Sequence, residues 1–247
     1  MGYRINRKPI SIICYADDAT ILAETADNLR RQLHRFNQVS TQFNMKISIS
    51  KTKCMTVARE LTRCKPVIIN EIVGQVTTFK YLGGDISSRH EPFKDLKSQI
   101  NKASLTSGCL RDVIWNNKQM SIDSKVRIRK TCVRPILAFG IETRADTNKT
   151  KCMLRTAEMM TLRSIAGKTL RDRVRSVTIR QTCKVEDVIR WGRKCRRWWR
   201  DHVERMHPER IAKIASNVNP AAKRPIGRPP KRWEDSWTSI SQENQQH

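Results

Sequence analysis

Residues 10–22 read Ile-Ser-Ile-Ile-Cys-Tyr-Ala-Asp-Asp-Ala-Thr-Ile-Leu, two β-rich runs on either side of a short acidic turn. Apolar and β-branched residues flanking a pair of turn-forming aspartates are the pattern of a β-hairpin. From Thr25 the period changes. Ala26, Leu29, Leu33, Phe36, Val39 and Phe43 recur at steps of three and four, with Arg30, Arg31 and Arg35 off that face, which predicts an amphipathic helix covering the hairpin. Alternation of period two returns at Met45, Ile47 and Ile49, and short β-like pieces follow at 54–57, 67–69 and 78–82, the last closed by Gly83-Gly84.

After Pro92 the character shifts to long segments with helical periodicity: Leu96, Ile100, Ala103 and Leu110, then 126–137, then 154–165. Pro135 is expected to kink or end its helix and Gly167 to stop the one before it. Residues 184–214 are again helix-like but heavily basic. From 217 onward Pro, Lys, Arg, Ser and Gln dominate, the composition of a disordered tail. The reading is therefore α+β at the start, then mainly α, with regions at 1–90, 91–180, 181–216 and 217–247.

Forty-nine Lys and Arg stand against 23 Asp and Glu in 247 residues, a formal charge of +26 that calls for a polyanionic partner. Residues 1–100 hold 16 basic and 9 acidic side chains, net +7, and residues 101–247 hold 33 and 14, net +19, so the electrostatic footprint lies downstream. The apolar run from Ile10 to Ala16 is far short of the roughly 20 residues a membrane helix needs, and no signal-peptide core precedes it. An intracellular protein, nuclear or cytoplasmic, is expected. The eight cysteines never form C-x-x-C, which fits reduced thiols, most of them buried as small apolar groups. Cys183, Cys195, His202 and His207 lack the close first pair of a structural zinc site.

Tyr15-Ala16-Asp17-Asp18 carries the chemistry. Nucleotidyl transfer needs carboxylates held rigidly enough to fix divalent cations, and Mg²⁺ takes hard oxygens from one or two carboxylates together with substrate phosphates. An ordinary acidic turn has the same composition, so order and spacing must decide. The hairpin, a helix, Asn44-Met45-Lys46-Ile47-Ser48-Ile49-Ser50-Lys51-Thr52-Lys53 and then Phe79-Lys80-Tyr81-Leu82-Gly83-Gly84 resemble, in that order, the palm and thumb of reverse transcriptases from non-long-terminal-repeat retrotransposons of the endonuclease–reverse transcriptase type. The stretches 112–115, 126–143 and 162–167 resemble the region that follows the palm in such elements.

The resemblance implies an RNA-directed DNA polymerase using Mg²⁺ on an RNA and DNA template–primer. In it Asp17 would ligate metal, Asp18 would support the site, and Tyr15 would lie beside the primer terminus. A lysine of the 50–53 segment, taken here as Lys51, would assist pyrophosphate departure, and Tyr81 with Gly83 would belong to a primer grip. Solvated lysine and a buried core turn are the plainer readings of those last two segments. It also implies another palm Asp and nucleotide-binding fingers ahead of residue 1, so polymerase activity is not expected from this chain alone. Upstream reverse transcriptase segments or other element-encoded proteins are the implied protein partners. A non-catalytic nucleic-acid-binding retroelement remnant is the competing reading, and a protein-interaction module a third.

The stretch 190–200 interleaves Trp191, Trp198 and Trp199 with six cationic residues, a combination suited to phosphate contact. The tryptophans are expected to pack inward while Arg193, Arg196 and Arg197 meet phosphate. Residues 223–233, with Gly227-Arg228-Pro229 and the flanking Lys231 and Arg232, resemble an AT-hook, although Ile226 stands where an Arg is expected, and they also fit a basic linker.

Overall fold

The computed structural model describes residues 2–5, 8–58, 63–68, 71–89 and 91–218. The described residues divide into two compact units, one holding those up to 89 with 206–218 and the other 91–205. The first mixes strands and helix and the second is helical. The coarse α+β reading therefore stands.

In the first unit β1 (Tyr3–Ile5) pairs antiparallel with β2 (Lys8–Ile10), and β3 (Ile12–Tyr15) with β4 (Asp18–Ile21). Helix α1 (Ala26–Gln42) follows. Thr25 caps it by accepting the Asn28 N–H at 3.2 Å, and Asn44, at φ 56°, stops it in the left-handed conformation that Asn tolerates. The remaining strands are short. β5 (Lys53–Cys54) runs parallel to β8 (Gly74–Gln75), β6 (Val67–Ile68) is antiparallel to β7 (Glu71–Ile72), and β9 (Thr78–Tyr81) is antiparallel to β10 (Gly84–Ser87). Leu33 of α1 joins Cys54, Cys64, Ile68 and Val73 in a small core, with Ile21, Leu29, Ile47 and Ile49 packed on it.

Two expectations need correcting here. Met45–Ile49 form no strand: the Thr52 N–H and hydroxyl both donate to the Ser48 carbonyl (2.9 and 2.8 Å), and Lys53 Nζ donates to the Ser50 carbonyl (2.8 Å). These local side-chain bonds compete with sheet pairing, while Ile47 and Ile49 still bury their apolar surface. Of the apolar stripe of α1 only Leu33 is fully covered, with Ala26, Leu29 and Phe36 partly buried. Val39 is exposed and Phe43 is 70% exposed.

The second unit opens with α2 (Pro92–Cys109), whose Pro sits in the first turn where its missing N–H costs nothing. A π-helical turn at Arg111–Trp115 follows. Next come α3 (Ile122–Ile128), a second π-helical segment at Arg129–Val133, and α4 (Arg134–Leu137). Pro135 cannot donate to the carbonyl of residue 131, so the expected kink appears as that π segment, and the helix ends two residues after the proline. Helix α5 (Asn148–Ile165) is fixed at its start by a reciprocal Thr147–Thr150 capping box and at its end by Gly167 at φ 62°. Helices α6 (Ser176–Thr182) and α7 (Val188–Arg205) close this unit, and α8 (Ile211–Ser216) belongs to the first. Residues 181–205, read from the sequence as the start of a separate basic region, share one core with α2, α4 and α5: Ile189 and Cys195 lie with Leu96, Leu137, Ile141 and Leu162.

At the centre of this core Glu158 is buried. It accepts from Arg129 Nη2 (3.2 Å), from Arg180 Nη2 (2.9 Å) and from the Val188 N–H at the start of α7 (3.3 Å). All eight cysteines are free; Cys54, Cys64, Cys183 and Cys195 are buried and the other four exposed, fewer inside than the sequence suggested. Burial, with Cys64 beside it, pushes the Cys54 thiol up to about 12. Among the described residues no helix is long and apolar enough to cross a membrane.

Candidate nucleic-acid and metal site

The turn between β3 and β4 is as short as a hairpin allows. Tyr15 pairs with Asp18, leaving Ala16 and Asp17 as the two loop residues, and Ala16 takes φ 50°. Tight hairpins need positive φ in their loop, and Ala accepts it at a cost of roughly 1 kcal/mol that the flanking pairs must offset. The geometry places both carboxylates of the box at the tip, with Tyr15 65% exposed and Asp17 and Asp18 exposed beside it. Among the described residues no group of three His, Cys, Asp or Glu side chains converges to hold a metal ion. Two adjacent carboxylates nevertheless suit a Mg²⁺ that keeps waters and substrate phosphates as its other ligands.

Lys51 is exposed on the turn after α1, whereas Lys53 is engaged with the Ser50 carbonyl. The sequence could not separate these two lysines, and the structure does so by hydrogen bonding. At the second hairpin Tyr81 pairs with Gly84, so the loop is Leu82-Gly83, both at positive φ (46° and 87°), as the favoured two-residue turn requires. The Tyr81 hydroxyl is buried with no hydrogen-bond partner among the described residues.

In the helical unit the three arginines predicted to meet phosphate separate. Arg193 and Arg197 are half-buried on α7. Arg196 is only 4% exposed: its Nε donates to the Ile141 carbonyl (2.9 Å) and its guanidinium pairs with Asp146 (3.4 Å), so it is a strut inside the unit and not a phosphate contact. Burial pushes its pKa down, against the pull of Asp146. The expectation for the tryptophans is also corrected in part. Trp191 packs against the core, with the Arg134 guanidinium 4.6 Å from its ring centroid, but Trp198 is 66% exposed.

The reason is the phase of α7. Its buried stripe runs through Val188, Ile189, Gly192, Cys195, Arg196 and Val203, which puts Trp198 on the far side with Lys194 and Arg205 one and two turns away. Those two cations were missed in the sequence; a helical wheel anchored on Val188 and Gly192 would have found them. Cys183 and Cys195 are buried in the core, with the Cys183 thiol directed at the Leu162 carbonyl (3.9 Å). Arg228, Lys231 and Arg232 lie outside the described residues.

Comparison with known proteins agrees with the order of these elements. Residues 3–86 match the family "Reverse transcriptase (RNA-dependent DNA polymerase)". The chain is 27% identical over 221 residues to the RNA-directed DNA polymerase from mobile element jockey of Drosophila funebris, covering 83% of this chain and 23% of that protein. The corresponding Drosophila melanogaster protein is 25% identical over 85% of this chain and 23% of its own length. A transposon-derived protein of Caenorhabditis elegans is 23% identical over 94% of this chain and 86% of its own length. The chain thus spans under a quarter of the length of the jockey polymerases. No solved structure matches it. Both hairpins lie inside the segment that matches the reverse transcriptase family, and over most of its length the chain is similar to polymerases of mobile elements.

Proposed function

We propose that the chain takes part in RNA-directed DNA synthesis by binding template–primer, with its first unit contributing part of the polymerase site. The observation that carries this is the exposure of Asp17 and Asp18 at a two-residue turn inside a segment matched by the reverse transcriptase family. In this reading Asp17 is the metal ligand, Asp18 supports it, and Tyr15 lies beside the primer 3′ end. Lys51 faces the departing pyrophosphate, and the Tyr81–Gly83 turn steadies the primer strand. Bound Mg²⁺ would neutralise charge on the reacting phosphate and the leaving group. The residues at the tip hold the cation and the primer end in register, and the rigidity of the turn spares the site reorganisation. On the helical unit Arg193, Arg197 and Trp198 lie against the backbone and bases of the duplex, and Arg228, Lys231 and Arg232 add phosphate contacts.

Two carboxylates carry too little charge to serve two cations, so catalysis requires a further carboxylate to complete the set. A primer-extension assay on an RNA template with Mg²⁺, comparing the chain with Asp17→Ala, is the test. Extension that disappears in the variant would show a competent site within this chain. No extension, with salt-sensitive binding of template–primer, is the expected result. Absence of binding at moderate salt would overturn the reading.

The second reading is a nucleic-acid-binding protein without catalysis, resting on the exposed basic residues of the helical unit alone. It predicts that Asp17→Ala leaves binding unchanged even when Mg²⁺ is added.

A further inference from the structure

Between α5 and α6 the chain makes a loop, residues 167–175, that is basic, exposed and tied down. Lys168, Arg171, Arg173 and Arg175 are all exposed, and none of the four appears in an ion pair among the described residues. The single acid, Asp172, is spent inside the loop: one carboxylate oxygen accepts the Thr169 N–H (2.5 Å) and the Thr169 hydroxyl (2.9 Å). Those two bonds draw its pKa down, so it stays ionised as a brace for Thr169.

Arg163 holds both ends of the loop from α5. Its Nη1 donates to the Thr169 carbonyl (3.3 Å) and its Nη2 to the Val174 carbonyl (2.8 Å). A β-turn closes the tip, where the Arg173 N–H donates to the Leu170 carbonyl (3.2 Å) and Arg173 takes φ 51°. Leu170, 80% exposed, stands among the cations. A loop that served only to join two helices would need neither the fork of Arg163 nor so large a surplus of exposed positive charge.

We propose that the 167–175 loop is a preorganised grip for the phosphodiester backbone of nucleic acid, separate from the exposed face of α7. Charge selects the ligand: four exposed cations against one acid, Asp172, repel basic partners and suit the closely spaced phosphates of a nucleic-acid strand. Order supplies the affinity, because side chains on a braced loop lose less conformational freedom on binding than they would on a slack one. Arg163 is a positioning residue, while Arg171, Arg173 and Arg175 touch phosphate and Leu170 rests on the sugar face. The inference rests on the proposed function only for the identity of its ligand and needs no polymerase chemistry.

The test is a salt series of binding isotherms for the full chain with a 20-base-pair RNA–DNA heteroduplex, and in parallel with single-stranded RNA of the same length. Arg171→Gln/Arg173→Gln/Arg175→Gln is compared with Arg111→Gln/Lys118→Gln/Arg127→Gln, an equal loss of exposed charge elsewhere in the same unit. The loop variant is expected to lower the slope of log K against log salt on the heteroduplex by about 2–3, at roughly 0.9 per phosphate contact, and the control by less than about 1. Arg163→Lys keeps the charge and loosens the loop. It should weaken binding several-fold with the slope unchanged, a pairing that mere loss of stability would not give.

Equal slopes for the loop variant and the control would overturn the proposal, leaving only long-range charge. Loss of slope on single-stranded RNA alone would place the grip on unpaired template and not on duplex. An Arg197→Gln/Arg205→Gln variant on α7 keeps the two ideas apart, since a normal loop variant beside a weakened α7 variant sinks the loop and leaves the wider reading intact.

Discussion

The two units solve the problem of a very basic chain in opposite ways. The first, which contains the whole reverse transcriptase match, has five buried apolar residues in its core among the described residues and keeps Tyr15, Phe43, Val57 and Ile72 largely in solvent. The second carries most of the excess charge, yet its core has nineteen such residues, and it takes arginines inside, pairing Arg129 and Arg180 with Glu158 and Arg196 with Asp146. Basic residues therefore do two jobs here. Those inside the helical unit fasten helices together, and others stand exposed on α7 and the 167–175 loop. Net charge alone does not distinguish the two classes; burial does.

The strongest way to break this comparison is at Glu158. Glu158→Ala leaves Arg129 buried with its Nε and Nη1 already lacking partners among the described residues, a change expected to cost about 3–5 kcal/mol because an uncompensated charge stays in the core. Denaturant unfolding of the helical unit checks it. A loss below about 1 kcal/mol would mean that the ion network is incidental and that apolar packing alone holds these helices. Glu158→Gln, which can still accept one bond, should fall between.

The matching cut in the first unit is Leu33→Ala. Buried Leu→Ala changes cost roughly 2–5 kcal/mol, and here the lower end is expected because a core this small, ringed by partly buried side chains, can collapse into the gap. Hydrogen exchange of the α1 amides would read it locally. If α1 loses protection while the amides of α5 keep theirs, the units are independently stable. A uniform loss across both would show one cooperative structure and remove the basis of the contrast.

A smaller effect sharpens the account of α7. A Cβ at Gly192 would lie 2.4 Å from Ile141 Cδ1 and 3.1 Å from its Cγ1, so Gly192→Ala must push the end of that side chain aside at about 1–3 kcal/mol. Adding Ile141→Val removes the clashing methyl and should recover most of the loss in a double-mutant cycle. No recovery would mean that α7 is held off by something other than this contact.

How far the sequence carries follows the same division. The hairpin tip was legible because Tyr15-Ala16-Asp17-Asp18 is local: turn chemistry and two β-rich runs specify it without help from distant residues, and Thr25 with Asn44 brackets α1 in the same local way. The Met45–Ile49 segment misled because the Thr52 hydroxyl bonds the Ser48 carbonyl and the Ser48 and Ser50 hydroxyls bond each other, which period-two alternation does not register. Arg196 misled for the opposite reason, since its partners Ile141 and Asp146 are about fifty residues away and only the packing of α7 brings them near. Trp198 followed the same error, because the phase of an amphipathic helix is ambiguous when its buried stripe contains an arginine.

Asp187 offers the mildest probe, and its direction can be worked out in advance. Burial raises its pKa, but the Ile189 N–H, Arg180 and Arg155 around it outweigh burial and hold the carboxyl below the usual Asp value. A depressed folded-state pKa means that the unfolded chain takes up a proton first, so the stabilisation is present in full above the unfolded value near 4 and drains away as pH falls through the folded one. The urea midpoint of the helical unit should therefore decline below about pH 4, and Asp187→Asn should flatten that decline while lowering the midpoint at neutral pH. An unchanged acid limb in the variant would show that Asp187 does not set the acid sensitivity of this unit. Asp187 would then be a surface partner of Arg155, outside the network that lets this unit keep arginines in its core.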